Sequence, residues 1–519
     1  MTDRKRRRLI QAGLAAPLLR WNPAGAQPAS GAVALLAAPR RALVIGNSAY
    51  RFAPLKNPAN DARAIGEELK RVGFDVTLGL DLSRQQMLET MSAYVASLSK
   101  AKAVGLFYFA GHGVQLAWRN YLLPVDAAIA QVGDIQAKCV DVNAVIEGIG
   151  KAANPMNVIV LDACRDNPFG GVKLEQKGLS QLDAPPGTLL AYATAPGNLA
   201  ADGEGTNGLY TEQLLREMRV PEAKIEDVFK RVRLAVRLRS NGQQLPWEST
   251  SLEQDFWFIP PKEMKKLSDA EKKRRFDEEL AQWEKAKPAQ APAPLEAFLR
   301  RFPSGHFAEL AQAQLDAVLA RQGEQRIQIA SAQGNPFTQG SARADTGYRV
   351  GDRYQYQVLD LYSKVVQRTL NQRVTGVIEA EVVYNNGNFV TDLLGNLVRE
   401  ANGARFTSNQ QFPAEFFVGK RWSTRFTEQS ASFGVGLFEA DYRITKKERV
   451  RVPAGSFDAF RIEGNGTFTR GTRLWSVVSR AWFAPDKVRR PVAREELRSF
   501  GRQETRVDRI ELVAFRQGR

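Results

Sequence analysis

The chain has 519 residues, 44% hydrophobic and 25% charged, with a formal net charge of +17. This is more than one domain needs, and the composition excludes a disordered or fibrous chain. Two cysteines (Cys139, Cys164) and two histidines (His112, His306) exclude a disulfide framework and a four-ligand zinc site. The basic charge is spread rather than blocked. It reads as solvated surface, the alternative being a nucleic-acid site, and no nucleic-acid partner is expected.

In chain order, Arg6-Arg7-Arg8 precede an apolar stretch around Gly13–Leu19, and Ala24-Gly25-Ala26 offers a small-residue cleavage site. Paired arginines before an apolar run resemble a twin-arginine export signal, so residues 1–39 read as export signal and linker, which implies a periplasmic location. Pro17 and Arg20 interrupt the stretch, and a basic arm on a cytoplasmic protein is the alternative. An oxidising periplasm would threaten a reactive thiolate, a conflict that export leaves open. No run of 18 apolar residues follows, so no membrane-spanning helix is expected.

Residues 40–261 alternate short apolar runs with amphipathic segments. Strands are expected at Arg41–Ile45, Phe74–Leu80, Val104–Phe109, Asn157–Leu161 and Thr188–Ala193. Helices are expected at Ala59–Val72, from Ser83 to about Leu98, and at Val142–Ile149, Tyr210–Met218 and Ile225–Leu238. Continuous apolar strands between helices predict an α/β fold, a mostly parallel sheet flanked by helices on both faces. Residues 262–333 are charged and predict a helical linker, with helices at Lys272–Trp283, Leu295–Arg301 and Phe307–Leu319.

Residues 334–519 predict an antiparallel β domain, with strands at Tyr354–Val358, Thr375–Val383, Phe389–Thr391, Trp422–Phe426, Asp441–Val452, Phe457–Gly464, Leu474–Ala484 and Arg506–Phe515. Val452–Arg461 and Trp482-Phe-Ala-Pro485 are similar to hairpins of envelope-associated β-clam modules. With no Cys or His, this part reads as a binding or positioning module whose partner would be an envelope component.

Two strand ends carry chemistry. One runs into Phe109-Ala-Gly-His-Gly113, the other into Leu161-Asp-Ala-Cys-Arg165. Ligands bind beyond the carboxyl ends of strands in open α/β sheets. If these strands are neighbours, His112 and Cys164 meet there. A cysteine needs a base because a free thiol, with a pKa near about 8.5, is mostly protonated at neutral pH. The backbone N–H groups of Gly113 and Cys164 are candidate donors to a developing oxyanion. A lone cysteine or histidine is most often a packing residue, and Cys139 and His306 are assigned no catalytic role.

Residues 41–260 resemble the caspase-like cysteine peptidases, nearest to the bacterial orthocaspase and metacaspase branch. The resemblance rests on Ala42-Leu-Val-Ile-Gly-Asn47, Leu55 with Asn60-Asp-Ala62, Tyr108-Phe-Ala-Gly-His-Gly113 and Leu161-Asp-Ala-Cys-Arg-Asp-Asn-Pro-Phe169. Thr194-Ala-Pro196, Asn207-Gly208 with Thr211, and Gln244-Leu-Pro-Trp247 support it. Cys164 follows His112 by 52 positions, and caspases place their histidine roughly 50 residues upstream of the cysteine. The resemblance implies a caspase-hemoglobinase-like fold and an endopeptidase with protein or peptide substrates. It implies Cys164 as nucleophile, His112 as base, and Asp61 and Asp162 lining a pocket for a basic P1 side chain. Structural alternatives are a local turn for Asp162 and a helix-N-terminal carboxylate for Asp61. A pocket serine of metacaspases is Ala110 here. No cofactor is expected. Calcium activates several metacaspases, but Asp126, Asp134, Asp141 and Asp166 form no EF-hand pattern and no metal site is assigned. The long Asp166–Pro186 stretch, with Lys173 and Lys177, reads as a processing loop. The alternatives to an enzyme are a catalytically silent caspase-fold scaffold and an envelope binding protein acting through the β domain. Oligomeric state has no sequence signal.

Overall fold

The computed structural model describes residues 28–164, 169, 172, 174, 178–196, 198, 205–263, 267–324, 334–501 and 503–518, with backbone only at 28–31, 164 and 505–507. Most of the expected export signal, and Lys173 and Lys177 of the expected processing loop, lie outside them.

The α/β part opens with α1 (Pro28–Ala37) and β1 (Arg40–Gly46), then α2 (Pro58–Arg71), β2 (Asp75–Leu80), α3 (Arg84–Ala101) and β3 (Val104–Leu116). It continues with β4 (Arg119–Leu122), α4 (Asp134–Lys138), β5 (Val140–Asp141), α5 (Val142–Lys151) and β6 (Asn157–Cys164). β7 (Thr188–Tyr192), α6 (Leu209–Met218), α7 (Ile225–Arg239) and β8 (Trp247–Thr250) complete it. The sheet order is β2-β1-β3-β6-β7-β8. β1 pairs β2 and β3 in parallel, β6 pairs β3 and β7 in parallel, and β8 runs antiparallel to β7.

The unbroken apolar strands follow from this layering. Leu106, Tyr108, Val158 and Val160 face a core shared with Ile65 and Leu69 of α2, Leu214 of α6 and Phe229 of α7. Phe107, Phe109, Ile159 and Leu161 face the opposite core, with Met87, Met91 and Leu98 of α3 and Ile146 of α5. Both faces of each central strand are therefore dry, as a parallel sheet requires. Ser83 closes a capping box with Gln86 at the start of α3, satisfying two otherwise orphaned backbone donors. β1 ends on Gly46 because α2 passes so close that a Cβ there would lie 2.3 Å from the Pro58 carbonyl oxygen.

One expected boundary is corrected. β3 does not stop at Phe109 but continues to Leu116, pairing β6 through His112 and then β4 from Gly113 onward. The apolar run ends at Phe109, but cross-strand hydrogen bonding on both edges holds the following segment extended.

Three helices follow: α8 (Asp269–Ala286), α9 (Pro292–Arg301) and α10 (Ala308–Arg321). Their core of Trp283, Phe298, Phe307 and Leu315 also takes in Leu234 of α7 and Leu394 of the β domain. The junction holds buried charge. Arg233 of α7 meets Glu248 at 3.2 Å and Glu415 at 3.0 Å, Arg343 meets Glu415 at 3.1 Å, and Lys420 meets Glu309 at 2.7 Å. Burial alone would raise the Glu415 carboxyl, but Arg233, Arg343 and Lys420 outweigh it and hold it well below the carboxylate range.

The β domain is a closed antiparallel barrel of twelve strands between Arg353 and Arg516, its last strand pairing its first. Closure removes the unpaired edges of an open sheet. The expected strand Thr375–Val383 is instead two strands, Val366–Ile378 and Glu381–Tyr384, joined by a tight hairpin with Glu379 at φ 54°. The strand Ala493–Phe500, absent from the sequence reading, lies between two longer ones.

The buried Glu279 of α8 gives a pH test. Burial raises its carboxyl to about 7, against the opposing backbone N–H groups of Phe307 and His306. Its folded pKa lies above the ordinary 4.5, so the folded chain binds more protons between about 4.5 and about 7, and stability falls as pH rises through that window. Glu279→Gln is expected to remove this component, worth roughly 3 kcal/mol at most. Thermal melts from pH 5 to 8 should show wild type losing more stability than the variant.

Candidate active site

The parallel register of β3 and β6 pairs Ala110 with Asp162, Gly111 with Ala163 and His112 with Cys164. Paired strands lie about 4.8 Å apart, so the backbones of His112 and Cys164 are immediate neighbours at the carboxyl edge of the sheet.

His112 is buried, and its ring is oriented from one side. Its Nε2 lies 2.7 Å from the Ala53 carbonyl oxygen. A carbonyl only accepts, so Nε2 carries the proton and the lone pair of the neutral imidazole is on Nδ1. The Tyr50 ring packs against the imidazole at 4.6 Å. The Tyr50 hydroxyl accepts from the His112 backbone N–H at 3.0 Å and donates to the Leu123 carbonyl at 3.1 Å. The His112 carbonyl accepts from Leu123 N–H at 3.0 Å. Gly111 is required beneath this seat: its φ is 152°, and a Cβ there would lie 2.5 Å from the Tyr50 hydroxyl oxygen. Sequence reasoning missed Tyr50 and Ala53. Both lie on the connection after β1, and only the fold brings that connection over β3.

The two acids close on the N-terminus of α6. Asp61, in the first turn of α2, accepts from Asn207 Nδ2 at 2.8 Å and from the backbone N–H of Gly208 at 3.0 Å. Asp162, half-buried on β6, accepts from Thr211 Oγ1 at 2.7 Å, and the Tyr108 hydroxyl lies 2.6 Å from Thr211 Oγ1 and 3.2 Å from Asp162. The Tyr108 hydroxyl is pushed well above its usual range, first by burial, then by the charges of Asp162 and Asp61. Asn207, Gly208, Thr211 and Tyr108 were legible as matching phrases, but their shared role as donors around the two acids was not.

Cys139 is buried at the end of α4, and burial pushes its thiol up to about 12. This is a packing environment, not that of a nucleophile. Asp126 accepts from the Arg84 backbone, Asp134 pairs with Lys138, and Asp141 pairs with Arg119. Among the described residues no group of three His, Cys, Asp or Glu could hold a metal ion.

Comparisons with known proteins bear on the same part of the chain. Residues 39–257 match the caspase domain of the peptidase C14 family. The mucosa-associated lymphoid tissue lymphoma translocation protein 1 of Homo sapiens is 32% identical over 131 residues, 25% of this chain and 15% of that protein. Its Mus musculus homologue is 31% identical over the same share. The matched region is thus a small part of those relatives. The crystal structure of caspase-1 from Spodoptera frugiperda aligns with a TM-score of 0.34 at 17% identity, covering 44% of this chain and 92% of that one. Residues 39–257 are a caspase-like domain.

Tyr50→Phe tests the seat of His112. It removes a buried hydroxyl that accepts one hydrogen bond and donates another, at an expected cost of about 1–3 kcal/mol. A lowered melting temperature checks this. Gly111→Ala should cost at least as much, because the methyl meets the same hydroxyl.

Proposed function

We propose that the chain is an exported cysteine endopeptidase of the orthocaspase and metacaspase type that cleaves after Arg or Lys. The observation that carries this reading is the β3–β6 register, which sets the backbone of Cys164 directly beside that of His112. His112 Nδ1 takes the thiol proton, and the Cys164 sulfur attacks the substrate carbonyl carbon. The backbone N–H groups of Gly113 and Cys164 receive the oxyanion. The C–N bond breaks as the imidazolium returns its proton to the leaving amine, leaving a thioester on Cys164. Water activated by the same imidazole then hydrolyses the thioester. The Ala53 carbonyl, which fixes the tautomer, acts as a positioning group.

Asp61 and Asp162 supply the P1 preference. Both carboxylates accept hydrogen bonds from neutral donors, so these bonds leave their negative charge in place. A guanidinium or ammonium is recognised there by charge-assisted hydrogen bonds, and an acidic side chain is repelled. Export rests on the arginine-led N-terminus, and the β domain positions the enzyme at an envelope component.

Matched fluorogenic peptides with Arg, Lys or Asp at P1, assayed under reducing conditions with and without calcium, test the reading. Cleavage is expected after Arg or Lys only. Cys164→Ala should lose at least about 10³-fold in kcat/KM, and Asp162→Asn should lower kcat/KM for Arg about 10–100-fold. Cleavage after Asp would sink the pocket while keeping the peptidase. No cleavage under any condition would leave a protein-binding scaffold. Residues 1–36 fused to a reporter active only after export should give signal; an inactive reporter would place the enzyme in the cytoplasm.

A further inference from the structure

Among the described residues, three arginines are buried below a tenth of their surface. Arg489 reaches Asp345 at 2.7 Å and Asp352 at 2.9 Å, and Arg237 lies between Asp316 and Glu324. Arg490, 5% exposed, has no such pairing among the described residues. Its Nη1 donates to the Gly395 carbonyl at 3.3 Å, its guanidinium also hydrogen-bonds the Tyr356 hydroxyl, its Nε meets no acceptor among the described residues, and the rings of Tyr384 and Phe389 lie 5.5 and 5.6 Å from its guanidinium carbon. A buried cation without a counter-charge is costly, and here it faces open space. Arg490 lines a cavity of about 390 Å³ inside the barrel, with Leu370, Phe389, Phe426, Phe438 and Phe468 on its wall.

The barrel's two ends differ. Arg490 sits on the connection between the strands Arg473–Phe483 and Ala493–Phe500, which forms the floor. At the opposite end four hairpins turn, at residues 361–365, 431–433, 471–472 and at 501. Exposed Tyr362, Phe433, Val435, Leu474 and Phe500 lie on or beside these turns, Phe433 at 70% exposure. The tips are linked: Arg470 lies over Phe433 at 5.6 Å, and Trp475 contacts both Phe468 and Phe500 at 5.7 Å. The charged lumen residues near this end include two ion pairs, Arg470–Glu428 and Arg498–Glu496, each at 2.6 Å. Arg368, Arg494, Glu400, Glu495 and Asp508 also line the cavity, so the axis runs from an apolar rim, past charges of both signs and a phenylalanine wall, to the buried Arg490. Contiguous exposed apolar side chains of this kind mark interaction sites.

We propose that the barrel lumen binds a single-chain anionic amphiphile, its acidic head on Arg490 and its aliphatic chain against the phenylalanine wall, entering through the apolar rim. At roughly 30 Å³ per heavy atom, the share of a water molecule in the liquid, the cavity takes about a dozen heavy atoms, the size of a medium-chain fatty acid. A small inorganic anion would use the arginine and leave the wall and rim without purpose. A neutral hydrocarbon would leave the buried charge unmatched.

Calorimetric titration of the full chain with decanoate, decyl phosphate and 1-decanol, below their micelle concentrations, tests this. One site per chain is expected, with decanoate at least tenfold tighter than 1-decanol. Arg490→Gln should abolish that preference. Phe433→Ser, at an exposed tip, should weaken decanoate several-fold with an unchanged far-UV circular dichroism spectrum. Decyl phosphate identifies the head: binding at or above decanoate's affinity supports a general anion seat, and weaker binding supports a carboxylate seat. Absence of a saturable site, or equal affinity for decanoate and 1-decanol, overturns the proposal on wild-type protein alone, so it does not depend on the buried variant folding.

Discussion

The parallel pairing of β3 with β6 is the constraint on which the candidate active site depends. One residue of slip in that register would move Cys164 from beside His112 and turn every apolar residue of β6 to the wrong face. The register is held because Val158 and Val160 belong to one core and Ile159 and Leu161 to the other. Packing far from the chemistry thus places the chemistry.

Two further contacts sit on that frame. The connection after β1 brings Tyr50 and Ala53 over His112, so the imidazole is held through its backbone, its ring face and its Nε2. The N-terminus of α6 closes over Asp61 and Asp162, where helix polarity and neutral donors stabilise negative charge. These donors settle the two carboxylates without adding a cation of their own.

Beyond the caspase domain, the chain is tied together by polar contacts. Arg233 and Glu415 join α7 to the β domain, and residues 335–341 bind the end of the segment that leads into β7. Asn335 donates to the Gln181 carbonyl at 2.8 Å, and the Gln339 backbone donates to Asp183 at 2.8 Å. The segment that leads into the barrel is therefore seated on residues 181–183. The barrel's closure removes sheet edges and encloses a lumen, which an open sheet could not do.

The sequence by itself determined what local periodicity and local chemistry can encode. The apolar runs identified the parallel strands, Ser83 marked the start of α3, and the phrases around His112 and Cys164 pointed to a caspase-like fold. Only the tertiary structure decided the rest, because each remaining feature depends on residues distant in the chain. The extension of β3 past Phe109 needs β4 and β6 on its edges, and the seat of His112 needs residues about 60 positions away. The donors to Asp61 come from about 146 positions away. Alternation along Thr375–Val383 reads as one strand, yet hydrogen bonding across Val377 and Val382 folds it into a hairpin. An arginine in sequence carries no mark of whether a carboxylate will meet it. That carboxylates meet Arg489 and, among the described residues, none pairs with Arg490 was decided by where the barrel's floor turns inward.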